Sequence, residues 1–363
     1  MKPAPRHSVA LPATAAPDDA AASSDAMMSG PHDLLPEGGL PSGWLVVDKP
    51  LGPTSAQIVG KLKWAMRTGG YGKARIGQSG SGRLKIGQSG SGRLKIGQSG
   101  SGRLKIGHGG TLDPLATGVL PIALGEATKL AGYLLNGPKA YRFTLAFGFS
   151  TTTDDAEGEV VKASPARPSQ DAIRAILPRF TGPIRQRPPA YSALKVDGER
   201  AYALARAGRP PELAERDVTI LALDLVSAEP DSATFDVRCS KGTYVRSLAR
   251  DLAEALGSVG HVSLLRRTMA GPFTLEQALP LDKWLGLVHG GALEQALLPL
   301  TAGLDDILVL PVDPEDAYAL SRGMRLSGPR VKSGHYIATL GSVPVALVEV
   351  SLCDVRVVRG FNF

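Results

Sequence analysis

Residues 107–121 read GHGGTLDPLATGVLP and hold the most informative carboxylate of the chain. Asp113 stands in a loop framed by glycine and proline, directly ahead of the apolar run 118–124, which predicts a buried strand. A carboxylate on such a support can be a nucleophile, a general base or a metal ligand. The alternative is that Asp113 only caps the turn at Pro114. The residue types alone leave both interpretations open.

Residues 239–250 read CSKGTYVRSLAR and predict the start of a helix. Thr243 is the expected N-cap, with Tyr244 and Arg246 in the first turn. The planar fork of Arg246 suits a buried carboxylate or a phosphate, because it can bond two oxygens together. A solvent-exposed arginine is the alternative.

Residues 187–202 read RPPAYSALKVDGERAY and place Tyr191 and Lys195 close together in a proline-rich stretch. Aromatic side chains among cations suit stacking on unpaired bases and contact with a phosphate backbone. Packing in the core explains each tyrosine equally well.

The acidic run 154–159, DDAEGE, invites a metal interpretation. It does not fit the calcium-loop pattern, and no histidine or cysteine cluster accompanies it. We therefore expect a solvated turn here. Of the six histidines, only His108 and His261 stand near other candidate residues.

The composition is that of a globular protein of about two domains: 363 residues, 43% hydrophobic and 21% charged. No apolar stretch approaches the roughly 18 residues of a membrane span. Cys239 and Cys353 are the two cysteines, and the first thirty residues lack a secretory pattern. We expect a cytoplasmic protein without a disulfide scaffold.

The net charge of +7 is concentrated in one tract. Three copies of IGQSGSGRLK occupy residues 76–105, and each adds one arginine, one lysine and no acid. A phosphate-binding loop is excluded, because Arg83 stands where that motif needs lysine and Leu84 where it needs serine or threonine. The composition predicts a flexible basic insertion, and an arm that contacts RNA phosphates is the alternative.

The order of the predicted elements indicates an α+β fold with a largely antiparallel sheet, because strands and helices mix without regular βαβ alternation. Residues 1–40 are predicted to be disordered, and residues 299–363 to form a small β-rich domain. The expected elements are a strand over 43–50, a helix capped by Thr54 or Ser55, a strand over 118–124, a helix over 126–136, a strand over 141–147, a helix capped by Ser169, strands over 217–225 and 233–239, a helix over 245–256, and strands over 345–350 and 354–358.

Taken together, these stretches resemble the TruB family of tRNA pseudouridine synthases. The resemblance spans about residues 43–273, and its motifs follow the family's order. They are WLVVDKP at 44–50 with Thr54-Ser55, GHGGTLDP at 107–114, PPAYSALK at 188–195, KGTYVR at 241–246 and LRR at 265–267.

The resemblance implies a fold, an activity and a partner. The fold is a mixed, largely antiparallel central sheet flanked by helices over residues 41–298, followed by a small PUA-like domain over 299–363. The activity is the isomerisation of uridine 55 in the T loop of tRNA to pseudouridine. It implies no cofactor and no metal, and we expect a monomer that binds the T arm.

The resemblance also implies a role for individual residues. Asp113 corresponds to the family's catalytic aspartate, and Arg246 pairs with it. The residues that hold or stack on the flipped base and its neighbours are His108, Tyr141, Tyr244 and Leu265. Lys49, Pro50 and Lys195 support the site. Because reaction intermediates must survive in a dry pocket, we expect the apolar Leu115 and Val119 to lie near Asp113.

Three alternatives stay open at this point. The first is a synthase that acts on another RNA, and the second is a non-catalytic RNA-binding or tRNA-folding protein with the same fold. The third is a carboxylate-dependent nucleoside or glycoside hydrolase. That reaction needs a second acid at a defined separation, and the sequence shows no convincing partner for Asp113.

Overall fold

The structure is a computed structural model that describes residues 41–71, 104–304, 307–328, 331–352 and 354–362. The predictions for the N-terminal 40 residues, for residues 76–103 of the repeat tract and for Cys353 lie outside the described residues. The strands are β1 (Gly43–Lys49), β2 (Ile106–His108), β3 (Ala116–Leu124), β4 (Lys139–Phe147), β5 (Phe149–Thr151), β6 (Val160–Ala163), β7 (Gly182–Gln186), β8 (Lys195–Val196), β9 (Glu199–Arg200), β10 (Arg216–Glu229), β11 (Ser232–Cys239), β12 (Gly260–Ala270), β13 (Phe273–Thr274), β14 (Leu279–Pro280), β15 (Leu308–Pro311), β16 (Leu326–Ser327), β17 (Gly334–Leu340), β18 (Val343–Ser351) and β19 (Asp354–Gly360). The helices are α1 (Ser55–Thr68), α2 (Ala131–Asn136), α3 (Gln170–Ile176), α4 (Ala201–Arg206), α5 (Val245–Ala255), α6 (Leu281–His289) and α7 (Pro314–Ser321).

The central sheet runs β14-β1-β3-β12-β4-β11-β10-β7, with β2 added beside β3 and β13 beside β12. Among the strand pairs of this sheet within the described residues, β1–β14 and β3–β12 are parallel and the others are antiparallel. The prediction of an α+β fold with a mixed, largely antiparallel sheet is confirmed.

Helix α1 covers one face of the sheet and begins at the cap that the sequence predicted. The Thr54 hydroxyl accepts from the Gln57 N–H, and the Gln57 side chain accepts from the Thr54 N–H, which forms a capping box. Ile58 and Leu62, at helical spacing, are fully buried in a cluster that also holds Trp284 of α6. The next motif of the chain, around Asp113, lies against the start of this helix.

Helix α5 packs on strands β4, β11 and β12 of the same sheet. Its residues Leu248 and Leu252 are fully buried against Phe143 and Phe235 of β4 and β11. The rings of these two phenylalanines stack with centroids 5.1 Å apart. This packing fixes the first turn of α5 over the sheet, and that turn carries Arg246.

One predicted helix differs in the structure. Residues 126–136 form a 3₁₀ segment over Gly125–Lys129 and then the short helix α2, with a break at Leu130. Ala127 and Leu130 are both fully buried. Residues three apart fall on the same side of a 3₁₀ helix, so the tighter winding directs both side chains into the core. The strands predicted at 217–225 and 233–239 lie within β10 and β11.

A second sheet follows, in the order β15-β17-β18-β19-β16. The strands predicted at 345–350 and 354–358 lie within β18 and β19. A cluster around the fully buried Trp44 includes Ile337 and Leu347 of this sheet, and the Trp44 indole N–H donates to the Leu300 carbonyl over 3.0 Å. The two sheets therefore share apolar packing.

Candidate active site

The loop that carries Asp113 is bonded to the first motif of the chain, residues 44–55. Strand β1 pairs along its whole length with β3, so Lys49 is opposite Gly118. The Gly52 N–H donates to the Pro114 carbonyl over 2.9 Å. The Ser55 hydroxyl donates to the Leu112 carbonyl at 3.1 Å and accepts from the Leu112 N–H at 2.8 Å. These bonds tie both sides of Asp113 to the start of α1.

Lys49 is fully buried and points its ammonium group at the same loop. Its Nζ atom donates to the carbonyls of Pro50, Pro114 and Ala116 at 3.0, 3.1 and 2.5 Å. Burial lowers the pKa of Lys49 to about 8, and the charge of Asp113 partly opposes that shift. All three bonds go to backbone carbonyls, so Lys49 holds the loop in place.

Asp113 and Arg246 meet at the end of this loop. The Arg246 Nη2 atom lies 2.9 Å from the Asp113 Oδ2 atom. The Arg246 side chain is only 6% exposed, whereas that of Asp113 is 38% exposed. The guanidinium also donates to the carbonyls of Thr153 and Tyr191. Arg246 is therefore a buried residue, and Asp113 presents a carboxyl oxygen to a small pocket.

The pocket is lined by residues of the Asp113 loop and β12. Leu115, Ala116 and Leu265 are among its lining residues, together with Asp113 and Arg246. Val119, which we expected to lie near Asp113, does not line it. Its side chain packs with Trp44 and Val46 in the cluster shared with the second sheet. In β3, successive side chains alternate between faces, and Val119 belongs to the face opposite the pocket.

The prediction of a solvated turn at residues 154–159 holds for Glu157 and Glu159, which are exposed, and is wrong for Asp154 and Asp155, which are buried. Asp155 is 5% exposed and its Oδ2 atom lies 3.3 Å from the Arg246 Nη1 atom. Asp154 is also buried and pairs with Arg250 over 2.9 Å. The turn docks on β12, because the Val262 N–H donates to the Asp154 carbonyl. One sequence feature could have indicated this: Arg246 and Arg250 lie one turn apart on a helix, beside the apolar Val245, Leu248 and Ala249, and arginines that become buried need acidic partners.

Tyr141 and Leu265 lie on neighbouring strands of the sheet. In the β4–β12 register Leu265 is opposite Phe143, and Tyr141 is opposite Arg267. Both Tyr141 and Leu265 are partly buried against the cluster under α1. Burial raises the pKa of Tyr141, and the guanidinium of Arg267 opposes this shift. The phenol therefore stays protonated at neutral pH.

Tyr244 is the N-cap residue of α5, and Thr243 does not cap this helix as predicted. The Thr243 hydroxyl donates instead to the Ser240 carbonyl. The N–H of Tyr244 is satisfied by the side-chain oxygen of Gln186, at 2.8 Å. Gln186 is buried on β7, so a distant side chain has taken over the capping function. Burial raises the pKa of Tyr244.

His108 ends β2, five residues ahead of Asp113. Burial, and then the charge of Arg267, lower the pKa of its imidazole. The ring is therefore neutral near pH 7. Its Nδ1 atom is buried and has no hydrogen-bond partner within the described residues. A neutral ring with an unused nitrogen can accept or donate a bond to a bound molecule.

Comparisons with known proteins agree with these features. Residues 98–245 match the model of the N-terminal domain of TruB family pseudouridylate synthases, and residues 246–305 match that of the tRNA pseudouridylate synthase B C-terminal domain. The chain is 48% identical to tRNA pseudouridine synthase B of Zymomonas mobilis, over 88% of this chain and 96% of that protein. It is 50% identical to the protein of the same name from Novosphingobium aromaticivorans, over 88% and 97% of the two chains.

This chain belongs to the TruB family of pseudouridylate synthases. It is therefore an isomerase, and the resemblance seen in its motifs is confirmed. The match to the N-terminal domain begins at residue 98, inside the repeat tract, whereas the first TruB motif lies at residues 44–55. Pairing of β1 with β3 brings that motif back to Asp113.

Solved structures support the TruB fold. The archaeal box H/ACA sRNP Nop10–Cbf5 complex contains a chain with a TM-score of 0.62 and 22% identity, which covers 94% of this chain and 93% of its own length. An H/ACA RNP bound to a substrate RNA containing 2'-deoxyuridine gives a TM-score of 0.60 at 22% identity, over 88% and 84% of the two chains. At this identity the likeness shows the fold alone.

Two of the residues expected to support the TruB site are exposed. Pro50 is exposed, but its carbonyl accepts from Lys49. Lys195 lies exposed on the short β8–β9 hairpin opposite Arg200, and no hydrogen bond joins it to Asp113 or Arg246 in the described structure. Among the residues that the structure describes, no group of three or more histidine, cysteine or acidic side chains could hold a metal ion. No described helix is both long enough and apolar enough to span a membrane.

Proposed function

We propose that this chain isomerises uridine 55 in the T loop of tRNA to pseudouridine. The observation that carries the proposal is the Asp113 carboxylate, paired with the buried Arg246 at 2.9 Å and still open to the pocket. Relatives at 48% and 50% identity that carry the name tRNA pseudouridine synthase B support tRNA as the substrate.

Binding begins with a uridine that leaves its folded loop, at a cost of a few kcal/mol. Tyr141, Tyr244 and Leu265 offer aromatic and apolar surface to the extruded base and its neighbours, which recovers part of this cost. His108 is neutral, since burial lowers its pKa. It can therefore fill the gap that the base leaves without burying a second charge.

The reaction rearranges bonds within one nucleotide. The bond from N1 of uracil to the sugar's anomeric carbon breaks, the base rotates, and C5 bonds to the same carbon. The proton on C5 is lost and N1 gains one, so atoms and electrons balance without an oxidant or reductant. Asp113 attacks as a carboxylate, at the anomeric carbon or at C6 of the base. The bond that it forms breaks again before pseudouridine leaves, which returns its electron pair to the Asp113 oxygen and regenerates the carboxylate. Arg246 orients it while Leu115 and Leu265 limit access of water.

The remaining parts of the proposal concern the rest of the molecule. The C-terminal sheet of β15 to β19 is proposed to contact the tRNA outside the T loop, and exposed cations such as Arg322, Arg325 and Lys332 support this. We further propose that the protein is a cytoplasmic monomer and that it needs neither metal nor cofactor. The isomerisation transfers no electrons to or from the nucleotide, so it requires no redox cofactor.

Asp113→Asn tests the proposal, with Asp236→Asn as the matched control. Asp236 forms an exposed ion pair with Arg142 on β4, so its loss leaves the site intact. Pseudouridine is mapped in full-length tRNA and in an isolated T-arm stem-loop. We expect position 55 to be modified by the wild type and the control, and not by Asp113→Asn. Wild-type protein that modifies only another RNA, releases free uracil or is inactive would refute the proposal.

A further inference from the structure

Arg267 on β12 is a buried cation that lacks an acidic partner within the described residues. Its side chain is 1% exposed, and none of the ion pairs found in this part of the chain includes it. Its guanidinium instead donates to three backbone carbonyls, those of Val119, Gly110 and Thr111, at 2.7, 3.3 and 3.4 Å. Burying an unpaired charge is costly, so this arrangement is unusual for a residue that only packs.

Two of these carbonyls, those of Gly110 and Thr111, lie just ahead of Asp113 in the chain, and the third, that of Val119, lies in β3. Those of Pro114 and Ala116, just after Asp113, are held by Lys49. The carbonyls between are also satisfied: Leu112 by Ser55, and Asp113 by the Ala116 N–H. Every carbonyl from residue 110 to residue 114 therefore accepts a hydrogen bond. On the N-terminal side of Asp113, Arg267 donates to the carbonyls of Gly110 and Thr111, to which neither Lys49 nor Ser55 donates.

The close approach of two strands makes this reach possible. Strand β12 runs parallel to β3, with Arg267 opposite Gly118. A Cβ atom on Gly118 would lie 2.1 Å from the Arg267 carbonyl oxygen, and Gly118 has a φ of +98°. Only glycine fits there. The side chain of Arg267 can then cross to the Val119 carbonyl and the loop beyond it.

Arg267 also faces the side chains that are expected to hold the base. It is opposite Tyr141 in the β4–β12 register. Its charge lowers the pKa of His108 and opposes the effect of burial on the pKa of Tyr141. One guanidinium thus acts on the loop of the nucleophile and on two groups of the base-binding wall.

We propose that Arg267 is a positioning residue of the isomerisation, which clamps the Asp113 loop against β3 and supplies a fixed positive charge beside Tyr141 and His108. This inference rests on the proposed function for its effect on turnover. Its effect on the loop and on the neighbouring side chains holds in the free protein.

The kinetic test compares Arg267→Met, Arg267→Lys and the control Arg266→Met. Arg266 is adjacent on β12 but pairs with Asp48, and about a third of its side chain is exposed. Loss of the clamp should lower kcat by about 10- to 100-fold in Arg267→Met, with KM within about twofold of wild type. Arg267→Lys keeps the positive charge but lacks the planar guanidinium, so its kcat should lie between those of Arg267→Met and the wild type. Arg266→Met should behave as wild type. Unchanged kcat in Arg267→Met, or a loss confined to KM, would overturn the proposal.

A second measurement separates this inference from the proposed function. The imidazole of His108 is titrated by NMR in the free, folded variants. Arg267→Met should raise the pKa of His108, whereas Arg267→Lys and Arg266→Met should leave it near the wild-type value. A residue with a merely structural role would not shift this pKa, so an unchanged value in Arg267→Met refutes the electrostatic part. If Arg267→Met does not fold, Arg267→Lys decides: lowered kcat with an unshifted His108 supports the clamp, and wild-type kcat refutes it. If the wild-type protein is inactive on tRNA, the proposed function is refuted. The His108 titration still tests the effect of Arg267 on its neighbours, because it is measured on the free protein.

Discussion

The guanidinium of Arg246 lies 2.9 Å from the carboxylate of Asp113, and the Arg246 side chain is only 6% exposed whereas that of Asp113 is 38% exposed. The cation is therefore desolvated by the fold, whereas the anion keeps a free face. A charge-assisted bond of this kind is strengthened by low local dielectric and orients its acceptor. The pair provides a carboxylate with a fixed orientation and an accessible oxygen, as a nucleophile requires.

Arg246→Lys should test the geometry of this pair. A lysine ammonium is a point charge and cannot reach Asp113, Asp155 and two carbonyls at once. We expect kcat to fall by about 100-fold and the free energy of unfolding to fall by about 2–4 kcal/mol. Arg142→Lys, in an exposed ion pair, is the control and should change either quantity little. Steady-state kinetics and urea unfolding measure both, and near-wild-type turnover in Arg246→Lys would contradict the assignment.

Asp155→Asn should test the second carboxylate on the same arginine. The amide retains an oxygen for the Thr153 hydroxyl and the Glu157 N–H but loses the charge that anchors Nη1 of Arg246. We expect kcat to fall about tenfold and KM to stay unchanged, because Arg246 loses one of the two carboxylates that fix its orientation. Single-turnover assays separate chemistry from binding. A rise in KM alone would place Asp155 in RNA binding instead.

Lys49→Met should reveal a pH-dependent contribution to stability. Burial lowers the pKa of Lys49 from 10.5 to about 8, so between these pH values the unfolded chain carries a proton that the folded chain has lost. Unfolding then takes up a proton, and the free energy of unfolding rises with pH. We expect wild type to gain about 1–3 kcal/mol relative to Lys49→Met from pH 7.5 to pH 10.

Urea unfolding of both proteins at each pH measures this difference. Comparing them cancels the other groups that titrate in this range, such as Lys139, whose pKa burial also lowers to about 8, and Tyr141, whose pKa burial raises. Lys61→Met, on the exposed side of α1, is the control. A difference that does not change with pH would mean that Lys49 titrates normally.

Deletion of residues 76–95 tests the repeat tract, which lies outside the described residues. The Gly/Ser-rich composition predicts a flexible connection, and removing two of the three copies would stabilise the fold by no more than about 1 kcal/mol through a shorter loop. We expect kcat to stay within about twofold, since this segment lies between α1 and β2 in the chain and the described lining of the pocket comes from residues 113, 115–116, 155, 246 and 262–265. Binding of tRNA is then measured against salt. A slope of log Kd against log salt that falls by up to about four would show that the deleted cations contact phosphates.

Most elements around the site could be predicted from local patterns. Alternation in Tyr141, Phe143 and Leu145 predicted β4, and the apolar run after Asp113 predicted β3. Thr54 was predicted as a cap, because capping depends on residues only three apart. The pairing of Asp113 with Arg246 came from the resemblance of ordered motifs, and the structure brings these two residues together.

The errors have a common physical cause. Whether Asp154 and Asp155 meet water depended on α5, about ninety residues later, which supplies Arg246 and Arg250. The cap of α5 depended on Gln186, nearly sixty residues earlier. No local pattern contains such partners, so an acidic turn was interpreted as solvated and Thr243 as a cap.

The order of motifs along the chain was enough to assign the family and the type of reaction and to predict Asp113 as the catalytic aspartate, since these depend on residue types at short spacing. Folding of the chain was needed to bring Lys49, Ser55 and Arg267 to the carbonyls around Asp113, and to place Asp155 beside Arg246. Backbone carbonyls look alike in every sequence, and a buried charge finds its partner only when distant segments pack and exclude water.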